Sequence, residues 1–132
     1  MFQSFDPGGL SPGAGVDMTD LRRYEKMEEK TRNALADKIL TEEERQSYRA
    51  AKNPARYLAV AFSSKESVAK ALGTGFRGFS FGDILLRRDE LGRPFVLLSP
   101  TASAVAMARG ITRIRLSVTH EGHYVVTMAV AD

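Results

Sequence analysis

The chain has no cysteine in its 132 residues, no long apolar run, and only a slight imbalance of charge. Each absence removes a class of protein. Without thiols there is neither a disulfide framework nor a thiolate zinc site, and nothing points to an oxidising compartment, so the cytoplasm is the expected location. Without a stretch of about 20 apolar residues no membrane-spanning helix is expected. The net charge of +3 favours an acidic or phosphate-rich partner but decides nothing alone. The usual nucleotide motifs are missing too. Neither GAG at 13–15 nor GTG at 73–75 belongs to a G-x-x-x-x-G-K-[ST] run, and no G-x-G-x-x-G opens a helix, which excludes P-loop hydrolases and dinucleotide dehydrogenases. A basic nucleic-acid-binding domain is the weakest alternative, because Tyr and Phe fall on expected core faces and no single-strand-binding motif appears.

What is present fits one domain over residues 13–132. A flexible leader at 1–12 precedes it, where Pro7, Gly8, Gly9 and Pro12 oppose regular structure. GAGVDM at 13–18 reads as a short strand whose glycines let another backbone or a ligand come close. One helix, DLRRYEKMEEKTRNAL, follows. Thr41 and Glu44 have capping-box spacing for a short helix. Asn53 and Pro54 give an N-cap and a favoured first residue to a long helix that Gly73 stops. Beyond Phe79 the pattern turns to period two: a hairpin bending around Asp89 to Pro94, a helix from Pro100 to Arg109, then strands Ile111 to Thr119 and Tyr124 to Ala131. That order predicts an α+β domain, with a mostly antiparallel sheet packed against the long helix.

On the long helix Leu58, Phe62, Ala69 and Leu72 share one stripe at 100° per residue; Lys65 falls near its middle and Glu66 at its margin. Burying both would cost several kcal/mol unless they pair, face a cleft, or hold a metal or phosphate. Pairing with other charges, a rotated helix, or a snorkelling Lys65 remain open readings. Asp17, between a glycine-flanked strand and a helix, either meets a phosphate with its cation or, like Thr19, caps the helix. His120 ends a strand, and His123 is read as a turn residue. Two carboxylates, Asp17 and Glu66, with a lysine beside one and no thiol, suit magnesium and phosphate chemistry better than zinc hydrolysis. The first helix mixes Arg22, Arg23, Lys26 and Lys30 with Glu25, Glu28 and Glu29, the usual make-up of a solvated surface.

Four blocks, GAGVDM, FSSKESVAKALGTGF, DELGRPFVLL and RLSVTHEGHYVVTMAV, span Gly13 to Val130 in that order. Together they resemble the holo-acyl-carrier-protein synthase family of 4′-phosphopantetheinyl transferases. The central block is similar to the family's F-x-x-K-E-A/S-x-x-K-A-x-G pattern. The resemblance implies a 4′-phosphopantetheinyl transferase-like fold, a homotrimer with its active site between adjacent subunits, and transfer of the 4′-phosphopantetheine of coenzyme A to a serine of apo-acyl carrier protein. It implies magnesium held by Asp17 and Glu66 against the coenzyme A pyrophosphate, with these two and Lys70 as the catalytic set.

The same resemblance places Lys65 and Lys70 near the phosphates, with a proton-accepting role suggested for Lys70. It places Gly73, Thr74 and Gly75 in the loop after the motif helix, and His120 near the diphosphate. Arg23, with Arg22 and Lys26 beside it, would dock on an acidic helix of the carrier protein. In one respect the chain departs from the pattern. Ala61 stands four residues before Lys65, where the family commonly has an arginine that helps hold coenzyme phosphate. Arg56 or Arg77 are nearby substitutes, and a catalytically weak binding relative is the alternative this departure raises. The leader is also longer than is usual in the family.

Overall fold

In the computed structural model, which describes residues 1–3 and 13–132, the first strand is β1 (Gly13–Asp20). Residues 4–12 of the expected leader lie outside the described residues. β1 pairs with β5 (Tyr124–Ala131), placing Gly13 opposite Ala131 and Asp20 opposite Tyr124, and β5 pairs with β4 (Ile114–Glu121). This gives a three-stranded sheet of order β1-β5-β4; β2 (Ile84–Arg88) and β3 (Pro94–Leu98) form a second, two-stranded sheet. Every pairing is antiparallel, as expected, but the strands divide between two sheets. β4 starts later than the expected Ile111, because the Thr112 and Arg113 amides turn to donate to the Asp132 carbonyl, each at 2.9 Å.

The expected first helix is two helices, α1 (Leu21–Glu25) and α2 (Glu29–Ile39). Glu28 takes an extended backbone, φ −60° and ψ 145°, and restarts the chain as the N-cap of α2. The break lets α1 pack on the long helix while α2 lies against a 3₁₀ turn at Phe81–Asp83. No glycine or proline marks it. α3 (Glu42–Ala50) begins at the expected capping box, where the Glu44 amide donates to Thr41 Oγ1 at 3.2 Å and the Thr41 amide donates to Glu44 Oε1 at 2.7 Å.

α4 (Pro54–Leu72) starts with the Arg56 amide donating to Asn53 Oδ1 at 3.1 Å and stops at Gly73, whose φ of 79° suits glycine. α5 (Pro100–Ala108) follows β3.

The core lies between α4 and one face of the three-stranded sheet. Leu58, Ala59, Val68 and Leu72 are buried there with Val125, Ala129 and Ala131, and each large aliphatic side chain contributes about 1.5–3 kcal/mol. The GAG glycines let the strand reach the helix. A Cβ at Gly13 would overlap the Ala71 carbonyl oxygen, and one at Gly15 the Ser67 carbonyl oxygen. The expected close neighbour is thus the α4 backbone. The other face of the sheet exposes Val16 (57%), Met18 (66%), Met128 (47%) and Val130 (36%).

Candidate active site

Asp17 shares the α4-facing side of β1 with the buried Thr19, and it is not a helix cap. Capping falls to Asp20, whose Oδ1 accepts the Arg22 amide at 3.0 Å. Lys70, in the last turn of α4, donates to the Val16 carbonyl at 3.0 Å and sets its ammonium 3.5 Å from Asp17 Oδ1. Glu66 lies one turn earlier and is half-buried. Burial pushes its carboxyl above the usual range, the negative charge of Asp17 adds to that, and Lys70 opposes it. Asp17, Glu66 and Lys70 therefore form one cluster.

Two mutually repelling carboxylates present hard oxygen donors, which fit a magnesium ion whose remaining positions are filled by water and substrate phosphate. Among the described residues no group of three or more His, Cys, Asp or Glu could hold a metal. A cation here would thus share its coordination with a ligand.

Lys65 departs from the expected role. It does fall in the core stripe, but it is 0% exposed and its three donors are all taken: by the Ile39 carbonyl at 2.6 Å, Glu44 Oε1 at 2.7 Å and the Phe81 carbonyl at 3.0 Å. An ammonium saturated inside the protein has nothing left for a coenzyme phosphate. Burial pushes Lys65 below the usual lysine range, and Glu44 opposes that shift. Glu44, 1% exposed, also accepts the Leu86 amide at 2.7 Å. The sequence marked Glu44 only as a capping residue.

His120 stands apart from the acidic cluster. The strand register puts it two strands and two positions from Asp17, roughly 12 Å by strand geometry. Its Nδ1 lies 3.2 Å from Arg56 Nη2. Arg56 lines a cavity of about 460 Å³ with Glu43, Tyr57, Val60, Arg87 and Arg88. Arg87 forks onto Glu43 at 2.8 and 2.9 Å. Among the described residues, Arg56 and Arg88 form no ion pair with a carboxylate. Burial pushes the Tyr57 hydroxyl up to about 12, so it remains a donor. Ala61 is completely buried, so the departure from the family's arginine falls at a closed position. Arg88 carried no sequence signal beyond its charge.

Gly73, Thr74 and Gly75 form the turn leaving α4, with φ of 79° at Gly73 and 59° at Gly75, and Thr74 Oγ1 donates to the Gly75 carbonyl at 2.9 Å. This turn begins three residues beyond Lys70. On α1, Arg22 is gripped by Asp20, with Nε and Nη2 at 3.0 and 2.8 Å from its oxygens. That pair holds the Asp20 carboxyl down to about 2. Arg23 lies 5.9 Å from the Tyr24 ring centroid, and neither it nor Lys26 pairs with a carboxylate among the described residues.

Comparison with known proteins shows the family. Residues 13–129 match the model of the 4′-phosphopantetheinyl transferase superfamily. The chain is 44% identical over 117 residues to a holo-[acyl-carrier-protein] synthase of Caldanaerobacter subterraneus, covering 89% of this chain and 91% of the relative. Its fold is similar to the crystal structure of holo-[acyl-carrier-protein] synthase from Neisseria meningitidis, with a TM-score of 0.84 and 39% identity over 91% of this chain and 97% of that one. A holo-(acyl-carrier-protein) synthase from Bacillus anthracis in complex with CoA (3′,5′-ADP) aligns at TM-score 0.72 and 30% identity, covering 90% and 94% of the two chains. The family match spans most of the chain and the relatives agree with it in sequence and fold, so the chain belongs to the 4′-phosphopantetheinyl transferase superfamily, alongside its holo-[acyl-carrier-protein] synthases.

Proposed function

We propose that this chain transfers 4′-phosphopantetheine from coenzyme A to a serine of apo-acyl carrier protein, giving holo-acyl carrier protein and 3′,5′-ADP. The observation that carries this reading is the cluster of Asp17, Glu66 and Lys70. The named activity of the relatives and the coenzyme-bound Bacillus anthracis structure support it.

In this reaction the serine oxygen bonds to the β-phosphorus, the bond from that phosphorus to the bridging oxygen breaks, and the hydroxyl proton departs. Charge builds on the bridging oxygen, so the site must neutralise the diphosphate and align the hydroxyl. Asp17 and Glu66 are the residues that would hold magnesium, which supplies part of that neutralisation. Lys70, paired with Asp17, fits the task as an ammonium beside the phosphates. The serine hydroxyl proton would pass to water or, in the accepting role the resemblance suggests, to Lys70 as its free amine. Gly73, Thr74 and Gly75 continue the wall beyond Lys70.

Arg56 and Arg88 are the cations suited to the coenzyme's remaining phosphate, with the His120 ring beside Arg56, in the role that Ala61 cannot take. Arg23 and Lys26 would receive an acidic helix of the carrier protein, with Arg22 contributing less because Asp20 already balances it. The exposed apolar face of the three-stranded sheet suits a homotrimer, since copies of the chain would cover it. Among the described residues no helix is long and apolar enough to cross a membrane. We place the enzyme in the cytoplasm with its coenzyme.

Mass spectrometry of apo-acyl carrier protein incubated with the chain, coenzyme A and magnesium tests this reading. A gain of one phosphopantetheine arm, abolished by a chelator or by Glu66→Gln, upholds it. No gain from a chain that still binds coenzyme A would make it a binding relative.

A further inference from the structure

Lys65 and Glu66 are neighbours in sequence, yet the fold sends them in different directions. A step of one residue turns a helix by about 100°. Lys65 enters the layer built by the end of α2, the start of α3, the 3₁₀ turn and β2, whereas Glu66 lies one turn before Lys70, which reaches Asp17, and so on the side of α4 that borders β1. Each donor of the ammonium meets an acceptor within 3.0 Å, and none belongs to the acidic cluster.

Glu44 completes the joint. Its Oε1 takes the Thr41 amide as well as Lys65, and its Oε2 takes the Leu86 amide at 2.7 Å. On the other side α4 is held by the backbones of Gly13 and Gly15, where no Cβ fits. The rotation of α4 is thus fixed by a buried ion pair on one side and by a strand backbone on the other. Glu66 projects between these two constraints.

From this geometry we infer that Lys65 is a positioning residue. It acts through Glu44 to aim the Glu66 carboxylate at Asp17, and it does not touch the coenzyme. The inference rests on the acidic cluster being the cation site of the proposed transferase. It divides the labour of the Lys65–Glu66 dipeptide, the first residue setting the helix and the second binding.

The test uses the full chain with Lys65→Met, Glu44→Gln and the double variant. Two measurements are needed: manganese binding by electron paramagnetic resonance in the presence of saturating coenzyme A, with manganese standing in for magnesium, and metal-free coenzyme A binding by calorimetry. Lys65→Met leaves a buried carboxylate without its counter-charge, so manganese binding should weaken at least fivefold at a temperature where the variant is folded. The double variant removes both charges and keeps one accepting oxygen, which serves one of the Thr41 and Leu86 amides. Its manganese affinity should return to within twofold of the parent, with coenzyme A affinity within twofold in all variants.

Coenzyme A binding that falls tenfold in both Lys65→Met and the double variant would make Lys65 a phosphate ligand and overturn the inference. Unchanged manganese affinity in folded Lys65→Met, with only its melting temperature lowered, would reduce the pair to a structural role and overturn it equally. Should Lys65→Met not fold, Glu44→Asp, which keeps both charges and shortens the strut, must show the same manganese loss. A parent chain that binds no manganese removes the cation site itself, and with it the reading of the previous subsection. A parent that binds while the variants match it removes this inference alone.

Discussion

Gly15 lies so close beneath Ser67 that a Cβ there would overlap the Ser67 carbonyl oxygen and stand 2.7 Å from the Ala71 amide nitrogen. Asp17 follows two residues later on the same side of β1, so the depth at which Gly15 seats determines where Asp17 stands. Gly15→Ala should push the strand away from α4, lowering stability by about 1–3 kcal/mol, and should slow transfer because Asp17 moves with the strand. Thermal melting and turnover measured together check this. An alanine variant matching the parent in both would show that the helix yields instead.

Glu66 illustrates the opposition between stability and binding. Its folded carboxyl is raised, chiefly by burial, so the fold favours the protonated form. That contribution is complete below the ordinary glutamate range and is lost as pH rises through the raised value. At pH 7 the ionised side chain is therefore a cost. Glu66→Gln should melt at a higher temperature than the parent at pH 7, with the gap closing towards pH 4, while turnover falls roughly 10²–10³-fold. Melting curves at the two pH values, beside a transfer assay, decide it. A variant that melts lower at pH 7 would contradict the sign.

Arg56 touches His120 and lines the basic cavity, and among the described residues no carboxylate pairs with it. Arg56→Ala should raise KM for coenzyme A by roughly ten- to a hundredfold, equivalent to about 1.5–3 kcal/mol for a charged hydrogen bond, and leave kcat nearly unchanged. Steady-state kinetics with coenzyme A varied will show it. A fall confined to kcat would place Arg56 elsewhere in the reaction.

The cations of α1 should be unequal. Arg23→Ala and Lys26→Ala should lower kcat/KM for the carrier protein and flatten its dependence on salt. Arg22→Ala should do less, since Asp20 already neutralises that guanidinium. Rates over a range of ionic strength rank the three, and an equal loss from Arg22 would mean that its pair with Asp20 opens on docking.

Met18 is 66% exposed on the apolar sheet face. Met18→Glu would place a charge where copies of the chain would meet, and sedimentation should then report a smaller species than the parent. If both sediment as monomers, that face has another use.

Much of the fold was legible because its signals are local. The Thr41–Glu44 capping box, the Asn53–Pro54 start and the Gly73 stop each need only a few neighbouring residues, and the structure shows all three. The break between α1 and α2 was not legible, since Lys26, Met27 and Glu28 are ordinary helix formers and tertiary packing redirects the chain there. Lys65 shows a different limit. Its position in the core stripe followed from periodicity, but its partner lies in the run Glu42, Glu43, Glu44, and only the folded chain selects Glu44 over its neighbours. Asp17 and Glu66 could be paired by resemblance, whereas the meeting of Arg56 with His120 joins segments far apart in sequence.

The carboxylate of Glu44 receives hydrogen bonds from the Thr41 amide ahead of α4 and from the Leu86 amide beyond it, as well as from Lys65 within it. Residues on either side of the long helix thus converge on one side chain. Loosening either half would strip that buried carboxylate of a partner, so the segments before and after α4 are expected to open together.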